Sequence, residues 1–358
     1  MTGWYSMAGK DSRAGVAPHP TATGSAMRIE ETVVRLRDPG LYRDGTQRVE
    51  VIETHFSWIF LTERNVYKLK KPVRYHGLDF TTLAARRYNC EQEVMLNRRL
   101  APDVYLGVVA LTTTNQGVLE LDGQGPVVDW LVAMRRLPAE RMLDAVIRAG
   151  TVTADEVRAF SLLLADFYRR ATPVTLDPDA YRQHFETAVQ ANHVELTVPA
   201  YGLPGDRIAA LTRCQEHFLR DRGHLLARRA RDGHIVDAHG DLRPEHICLM
   251  PDPVIIDCLE FDPELRRLDP VDELAYLALE CARLGAPALG TDVLRHYREA
   301  TGDACPDALM YFYQVFRACL RAKIAIWHLA DCAPGDRARW SERARSYLDL
   351  AASCADRW

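Results

Sequence analysis

From Arg48 to Leu61 the chain reads RVEVIETHFSWIFL, a mixture of β-branched and aromatic positions that predicts paired strands. Glu63-Arg64-Asn65 predicts the turn that follows, and Val66 to Val73 a third strand that closes at Pro72. The apolar period then changes. Leu83, Tyr88, Val94, Leu96 and Leu100 form an approximate helical stripe over 81–100. Val104 to Leu111 and Gly117 to Leu121 predict further strands, and Val127 to Met134 is another apolar run, ended by Arg135-Arg136-Leu137-Pro138. The first 138 residues thus read as about five strands around one long helix.

Beyond Pro138 the pattern is mainly helical. Thr153-Ala154-Asp155-Glu156 has the form of a capping box ahead of VRAFSLLLADFYRRA, the Thr hydroxyl and Glu carboxylate meeting free amide groups. Further helices are predicted over 206–231, 271–284, 290–300, 306–330 and 337–355, with Asp269 as a helix cap. A short β-like island, Ile235 to Asp257, interrupts them. The expected class is α+β: a small β-rich lobe over 28–138, a larger helical lobe over 139–358, and 1–27, rich in Gly, Ala, Ser, Thr and Pro, as a disordered tail.

Composition narrows the classes. With 47 % apolar residues in 358 there is ample material for a core, and a net charge of −4 gives no global electrostatic case for nucleic acid. No apolar run approaches the roughly 18 residues of a membrane span. The nine cysteines are odd in number and contain no C-x-x-C pair, which predicts reduced core thiols in a cytoplasmic protein. Of 45 basic residues only five are lysine, and three of those stand in Tyr67-Lys68-Leu69-Lys70-Lys71. A compact ammonium on a thin stem does chemistry that a planar guanidinium does not, so the cluster is a candidate site.

The island supplies carboxylates. It reads AHGDLRPEHICL over 238–249 and then Val254-Ile255-Ile256-Asp257, which delivers Asp257 at a strand end sixteen residues after Asp241. One such group can accept a hydroxyl proton while the other holds a divalent ion on a phosphate chain. These motifs, with ETHFSW over 53–58, YKLKKPV over 67–73, GLDF over 77–80, CEQE over 90–93, LNRRLAP over 96–102, MRRLP over 134–138 and LEFD over 259–262, resemble the aminoglycoside phosphotransferase-like branch of the protein-kinase-like fold. The resemblance runs from about Met27 to the last helices. No G-x-x-x-x-G-K-[ST] occurs in the sequence.

Position by position, the resemblance implies an ATP- and Mg²⁺-dependent phosphotransferase acting on a hydroxyl of a small molecule, in a two-lobed kinase-like fold. Asp241 matches the catalytic-loop base, and Asp257 the metal-holding acid after the next strand. Lys68 or Lys70 matches the lysine on the nucleotide phosphates. They lie two residues apart on one strand face, so spacing does not choose between them, and Lys68 is favoured. Glu93 is the implied helix partner in preference to Glu91, Lys71 is assigned to the surface, and Met134, Arg135, Arg136 and Leu137 form the connector meeting the adenine edge. Two departures stand out. His246 occupies the position of a usual Asn metal ligand, which predicts a lost or altered second metal site with His246, Glu245 or Glu260 contributing. The loop over the nucleotide has no glycine, only Thr54-His55-Phe56-Ser57, whose Thr54 and Ser57 hydroxyls and backbone amides are the candidate phosphate contacts. These departures keep two alternatives open: a weakly active or inactive nucleotide-binding pseudokinase, and an enzyme that modifies a protein side chain. His239 is expected to brace the loop. Arg317, Arg321 and Lys323 on one helix are expected either at an acceptor cleft or on a solvated face.

Overall fold

The computed structural model describes residues 28–75, 78–332 and 334–357. The expected tail over 1–27 and Gly77 of the GLDF motif lie outside the described residues. Among these, the chain packs as two compact units: 28–138 together with 255–261, and 139–254 together with 262–357.

The first unit is built on a six-stranded antiparallel sheet. Its elements are α1 (Ile29–Arg35), β1 (Glu50–Glu53), β2 (Ser57–Leu61), β3 (Asn65–Lys70), the small pair β4 (Arg74–Tyr75) and β5 (Leu78–Asp79), α2 (Leu83–Asn97), β6 (Tyr105–Thr113), β7 (Leu119–Leu121) and β8 (Val127–Arg135). The strand order is β1-β2-β3-β8-β6-β7. The register Ser57↔Lys70, Ile59↔Lys68 and Lys68↔Val132 puts β3 between β2 and β8, so the lysine strand is internal, not an edge. One face packs Phe60, Leu69, Leu111 and Leu131 against Val33 and Leu36 of the α1 region. Helix α2 starts at Thr82, whose hydroxyl accepts from the Ala85 amide, and Arg86 ties it to β8 through a buried pair with Asp129 at 2.9 Å. Tyr88 does not belong to the buried stripe: it is exposed, and Arg86, Asn89, Cys90, Glu93, Val94 and Asn97 face inward instead. That face is mostly polar, so apolar periodicity places Tyr88 on it where the fold does not.

The second unit holds α3 (Leu143–Ala149), α4 (Ala154–Arg170), α5 (Pro178–Leu196), α6 (Gly205–Arg222), α7 (His224–Arg231), β9 (Val236–Asp237) and β10 (Ile247–Cys248). After β11 (Val254–Ile255) and the 255–261 segment come β12 (Arg267–Leu268), α8 (Pro270–Arg283), α9 (Pro287–Thr301), α10 (Asp307–Asp331) and α11 (Arg337–Ala355). The capping box at Thr153 and Glu156 forms in both directions. The single helix expected over 206–231 is two, breaking at Gly223, and α5 forms where the apolar pattern predicts no helix. Its buried stripe includes Asn192 among Tyr181, Phe185, Ala188, Val189 and Leu196, which blurs the apolar signal. The core of this unit centres on α10, where Val315, Ala318, Ala322 and Ile326 pack with Tyr347, Leu348 and Ala351 of α11. The fold is α+β, as the sequence predicts. No helix among the described residues is long and apolar enough to cross a membrane.

Candidate functional site

In the β-rich unit, β3, α2 and the 255–261 segment bring two lysines and three acids together. The Lys68 ammonium donates to Glu93 Oε1 at 2.9 Å and to Asp257 Oδ1 at 3.1 Å. Lys70, two residues along on the same strand face, pairs with the other oxygen of Glu93 and with Glu260. The two lysines differ in depth. The Lys70 side chain is 2 % exposed and closed in by its two acids, whereas Lys68 is 14 % exposed beside an Asp257 carboxylate that is 45 % exposed. Burial works against the charge of Lys68, but Asp257 and Glu93 overcome it and hold the ammonium well above its usual range. Burial likewise pushes the Glu93 carboxyl up, and the two ammonium groups outweigh it and hold it down. Lys68 and Glu93 are therefore both held in their charged forms, which is the condition for burying charges without a large penalty.

Residues 255–261 enter this cluster through contacts the sequence did not reveal. The Ile255 amide donates to the Leu100 carbonyl at 3.4 Å, the Asp257 amide to the Tyr105 hydroxyl at 3.2 Å, and the Cys258 amide to Asn97 Oδ1 at 2.8 Å. Asn97 is itself fixed, donating to the Glu93 carbonyl at 2.9 Å. Asp257 has φ of +64°, the left-handed region that a non-glycine residue occupies at a cost, so these three bonds hold a strained backbone that presents the carboxylate. Phe261 at the end of the segment meets Phe56 at the tip of the β1–β2 turn, ring centroids 6.1 Å apart. The LNRRLAP and LEFD motifs were the available signal, but neither tells which residue touches which.

Thr54 and Ser57 close the β1–β2 turn on themselves: the Thr54 hydroxyl donates to the Ser57 carbonyl and accepts from the Ser57 amide, both at 3.0 Å. Ser57 is buried. In the connector, Met134 pairs with Val66 and Tyr105, the Arg135 amide donates to Val104 and the Arg136 amide to Arg64, each at 2.8 Å. The Arg136 guanidinium holds the Thr62 carbonyl at 2.7 Å. The Leu137 amide has no hydrogen bond among the described residues. Lys71 pairs with Glu53 at 2.6 Å, and Glu91 with Arg87 on the exposed face of α2.

In the helical unit, Ala238 to His246 form a loop fixed from below by Glu273 of α8, whose carboxylate accepts from the His239 amide at 3.1 Å, the Gly240 amide at 2.5 Å and the Tyr168 hydroxyl at 2.7 Å. Gly240 has φ of +92°, which a side chain would strain. His239 is fully buried and its Nδ1 accepts from the Asp241 amide at 3.3 Å. The Asp241 carboxylate accepts from Arg243 Nε at 3.0 Å and from the Tyr276 hydroxyl at 3.3 Å. His246 Nε2 lies 2.8 Å from the Arg243 guanidinium and Nδ1 2.8 Å from the Asp241 carbonyl. A guanidinium only donates, so Nε2 accepts and Nδ1 carries the proton that goes to the carbonyl. Both ring nitrogens are thus committed to the loop and to a cation, which leaves no lone pair for a metal. Glu245 lies 3.4 Å from Arg283, and Glu260 is on Lys70. No cluster of three or more His, Cys, Asp or Glu side chains with metal-binding geometry occurs among the described residues. Asp257, a hard carboxylate oxygen donor with much of its surface open, fits a magnesium ion better than any imidazole here.

Helix α10 corrects the expectation of a solvated basic face. Arg317 is buried in a two-pronged pair with Asp272 at 2.7 and 2.6 Å. Lys323 has no exposed surface, and Arg321 is mostly covered.

No family model matches the chain. An uncharacterized protein of Mycobacterium tuberculosis and one of Mycobacterium bovis are each 34 % identical to it over 284 residues, covering 77 % of this chain and 54 % of theirs. The chain therefore spans about half the length of the curated relatives it matches. Among solved structures, an aminoglycoside phosphotransferase in complex with GDP and kanamycin superimposes with a TM-score of 0.52 at 15 % identity, covering 92 % of this chain and all of that one. A choline/ethanolamine kinase family protein from Mesorhizobium loti gives a TM-score of 0.48 at 13 % identity over 91 % of this chain and all of that one.

Proposed function

The chain has the protein-kinase-like fold in its aminoglycoside-phosphotransferase-like form, and from that premise we propose an ATP-dependent phosphotransferase that moves the γ-phosphate to a hydroxyl of a small-molecule acceptor. The observation that carries this reading is the ion-paired group of Lys68, Glu93 and Asp257, in which a partly open ammonium is braced by a buried acid. In the proposal Lys68 neutralises the nucleotide phosphates, Glu93 orients it, and Lys70 serves to fix Glu93 and Glu260. The Leu137 amide and the connector backbone from Met134 through Arg135 and Arg136 meet the base. The turn amides near Thr54 and Ser57 cover the phosphates, since the Thr54 hydroxyl is engaged in closing the turn.

Asp257 would hold a magnesium ion, which when bound supplies charge neutralisation on the phosphate chain. His246 is left out of the ligand set and assigned to bracing the loop, for the geometric reason given above. Asp241 accepts the proton of the acceptor hydroxyl as its oxygen bonds to the γ-phosphorus and the bond to the bridging oxygen of ADP breaks. For this Arg243 must shift from the carboxylate. Incoming phosphoryl oxygens would give its guanidinium an alternative anion. The same Arg243–Asp241 pair favours a second reading, a nucleotide-binding protein with little turnover.

The test is transfer of labelled γ-phosphate from Mg·ATP to a panel of hydroxyl compounds. Asp241→Asn is expected to cut the rate by about 10²- to 10⁴-fold while ATP still raises the melting temperature. Lys68→Met is expected to abolish that ATP-induced rise. Full activity in Asp241→Asn would remove the assignment of the base, and an ATP-induced rise without transfer to any acceptor would favour the second reading.

A further inference from the structure

Arg321 projects from α10 toward the loop that carries Asp241. Its guanidinium is flanked by two rings, Tyr276 of α8 at 5.7 Å and Tyr347 of α11 at 5.9 Å. Tyr276 is the shared neighbour, since its hydroxyl donates to Asp241. Among the described residues Arg321 makes no hydrogen bond. Glu280 lies close, with Oε1 3.9 Å from Nε, but that carboxylate is already committed: Oε1 accepts from the Tyr347 hydroxyl at 2.6 Å and Oε2 from Arg283 Nε at 2.7 Å. The Nε edge is sealed from solvent and unpartnered, while the terminal amino groups are not sealed, and the side chain is 17 % exposed.

The other charges around it are paired. Arg243 sits on Asp241, Arg283 on Glu280 and Glu245, and Arg317 on Asp272. A mostly buried cation without a hydrogen-bonding partner costs stability unless an anion completes it. A guanidinium fork fits a carboxylate or a phosphate with two parallel hydrogen bonds.

We propose that Arg321 reads the acceptor: the compound phosphorylated at Asp241 carries an anionic group, carboxylate or phosphate, that docks on the Arg321 guanidinium. This assignment rests on the phosphotransferase reading above and adds the charge class of its substrate. The Tyr276 and Tyr347 rings beside it confine the guanidinium, so the anion is bound at a set distance from the base. The selectivity is therefore for a hydroxyl at one spacing from the charge.

Four compounds on one carbon scaffold separate the charge classes: glucose, glucosamine, gluconate and glucose 6-phosphate. Phosphate transfer from Mg·ATP is expected to gluconate or glucose 6-phosphate, and which of the two tells carboxylate from phosphate. Arg321→Met is expected to raise KM for that compound by about 10- to 100-fold, the worth of a charged hydrogen-bonded pair. Arg321→Lys should recover part of it. An ATP-induced rise in melting temperature retained in both variants shows that they fold and that the nucleotide reading stands. Preference for glucose or glucosamine, or an unchanged KM in Arg321→Met, overturns the proposal. Should none of the four be phosphorylated, binding decides: gluconate or glucose 6-phosphate at millimolar concentration raises the melting temperature of the wild type and not of Arg321→Met, and no rise with either overturns the assignment. Failure of ATP itself to bind would instead remove the phosphotransferase reading, and the anion-induced rise, measured without ATP, would still judge Arg321.

Discussion

Lys323 lies two residues beyond Arg321 with no exposed surface and no hydrogen bond to its ammonium, which faces the Trp327 ring at 5.2 Å. Burial brings its pKa down to about 8, with Glu195 opposing the shift. An unfolded lysine titrates near 10.4, so between about 8 and 10.4 the unfolded chain binds the extra proton and stability gained from this residue rises with pH. Below 8 the folded protein carries the buried charge in full. Lys323→Met is therefore expected to be more stable than the wild type near pH 7, by about 3 kcal/mol, with the difference closing toward pH 10.5 in urea unfolding followed at both pH values. The paired lysines of β3 show the opposite case. Lys70 is equally buried, but Glu93 and Glu260 raise its pKa against the effect of burial. The scarcity of lysine marked both positions in the sequence, and their alternation put them on one face. Only the acids that tertiary structure brings from α2 and 255–261 distinguish a deep structural ammonium from an accessible one.

At the scale of elements, the strand end that carries Asp257 is held by a helix 160 residues earlier in the chain. Asn97 accepts the Cys258 amide while donating to the Glu93 carbonyl, so one side chain couples the acid that braces Lys68 to the segment presenting Asp257. Asn97→Ala would leave a buried amide without a partner and is expected to lower stability by about 1–3 kcal/mol in urea unfolding. It should also weaken ATP binding, with Asn97→Asp keeping the acceptor and recovering part of both. Helices α8 and α9 cross at Gly290, where a Cβ would stand 2.5 Å from the Ala278 side chain and 2.6 Å from its Cα. Because α8 also carries Glu273 and Tyr276 beneath the Asp241 loop, Gly290→Ala is expected to destabilise by about 1–3 kcal/mol through overpacking. Caps were readable locally: Thr153 and Asp269 cap where the sequence placed them, since a cap needs only residues within one turn. The polar inner face of α2 was not readable, because a buried acid and a surface acid look alike in a periodicity count.

For the whole molecule, the two units are discontinuous in sequence: 255–261 packs with 28–138, although more than a hundred residues separate them. A fragment of 28–138 alone lacks Asp257 and Glu260, leaving two lysines to share Glu93 in a largely closed site. Such a fragment is expected to show a lower urea midpoint by circular dichroism than the same fragment joined by a flexible linker to 255–261. Equal midpoints would show that the segment contributes nothing to that unit. The relatives are about twice as long as the stretch they share with this chain, so partners of the full-length relatives are a separate matter from the site built here.

By itself the sequence determined the α+β class, the antiparallel strands before Pro138, the helical remainder and the motifs at 67–73, 90–93, 239–246 and 257. Each of these depends on periodicity, caps or spacing within a few residues. Tertiary structure alone decided which lysine stays accessible, that His246 has both nitrogens committed, that Asn97 and Tyr105 hold Asp257, and that Arg321 is left without a hydrogen-bonded partner. Those outcomes depend on burial and on contacts between residues far apart in the chain, where a charge is defined by what faces it.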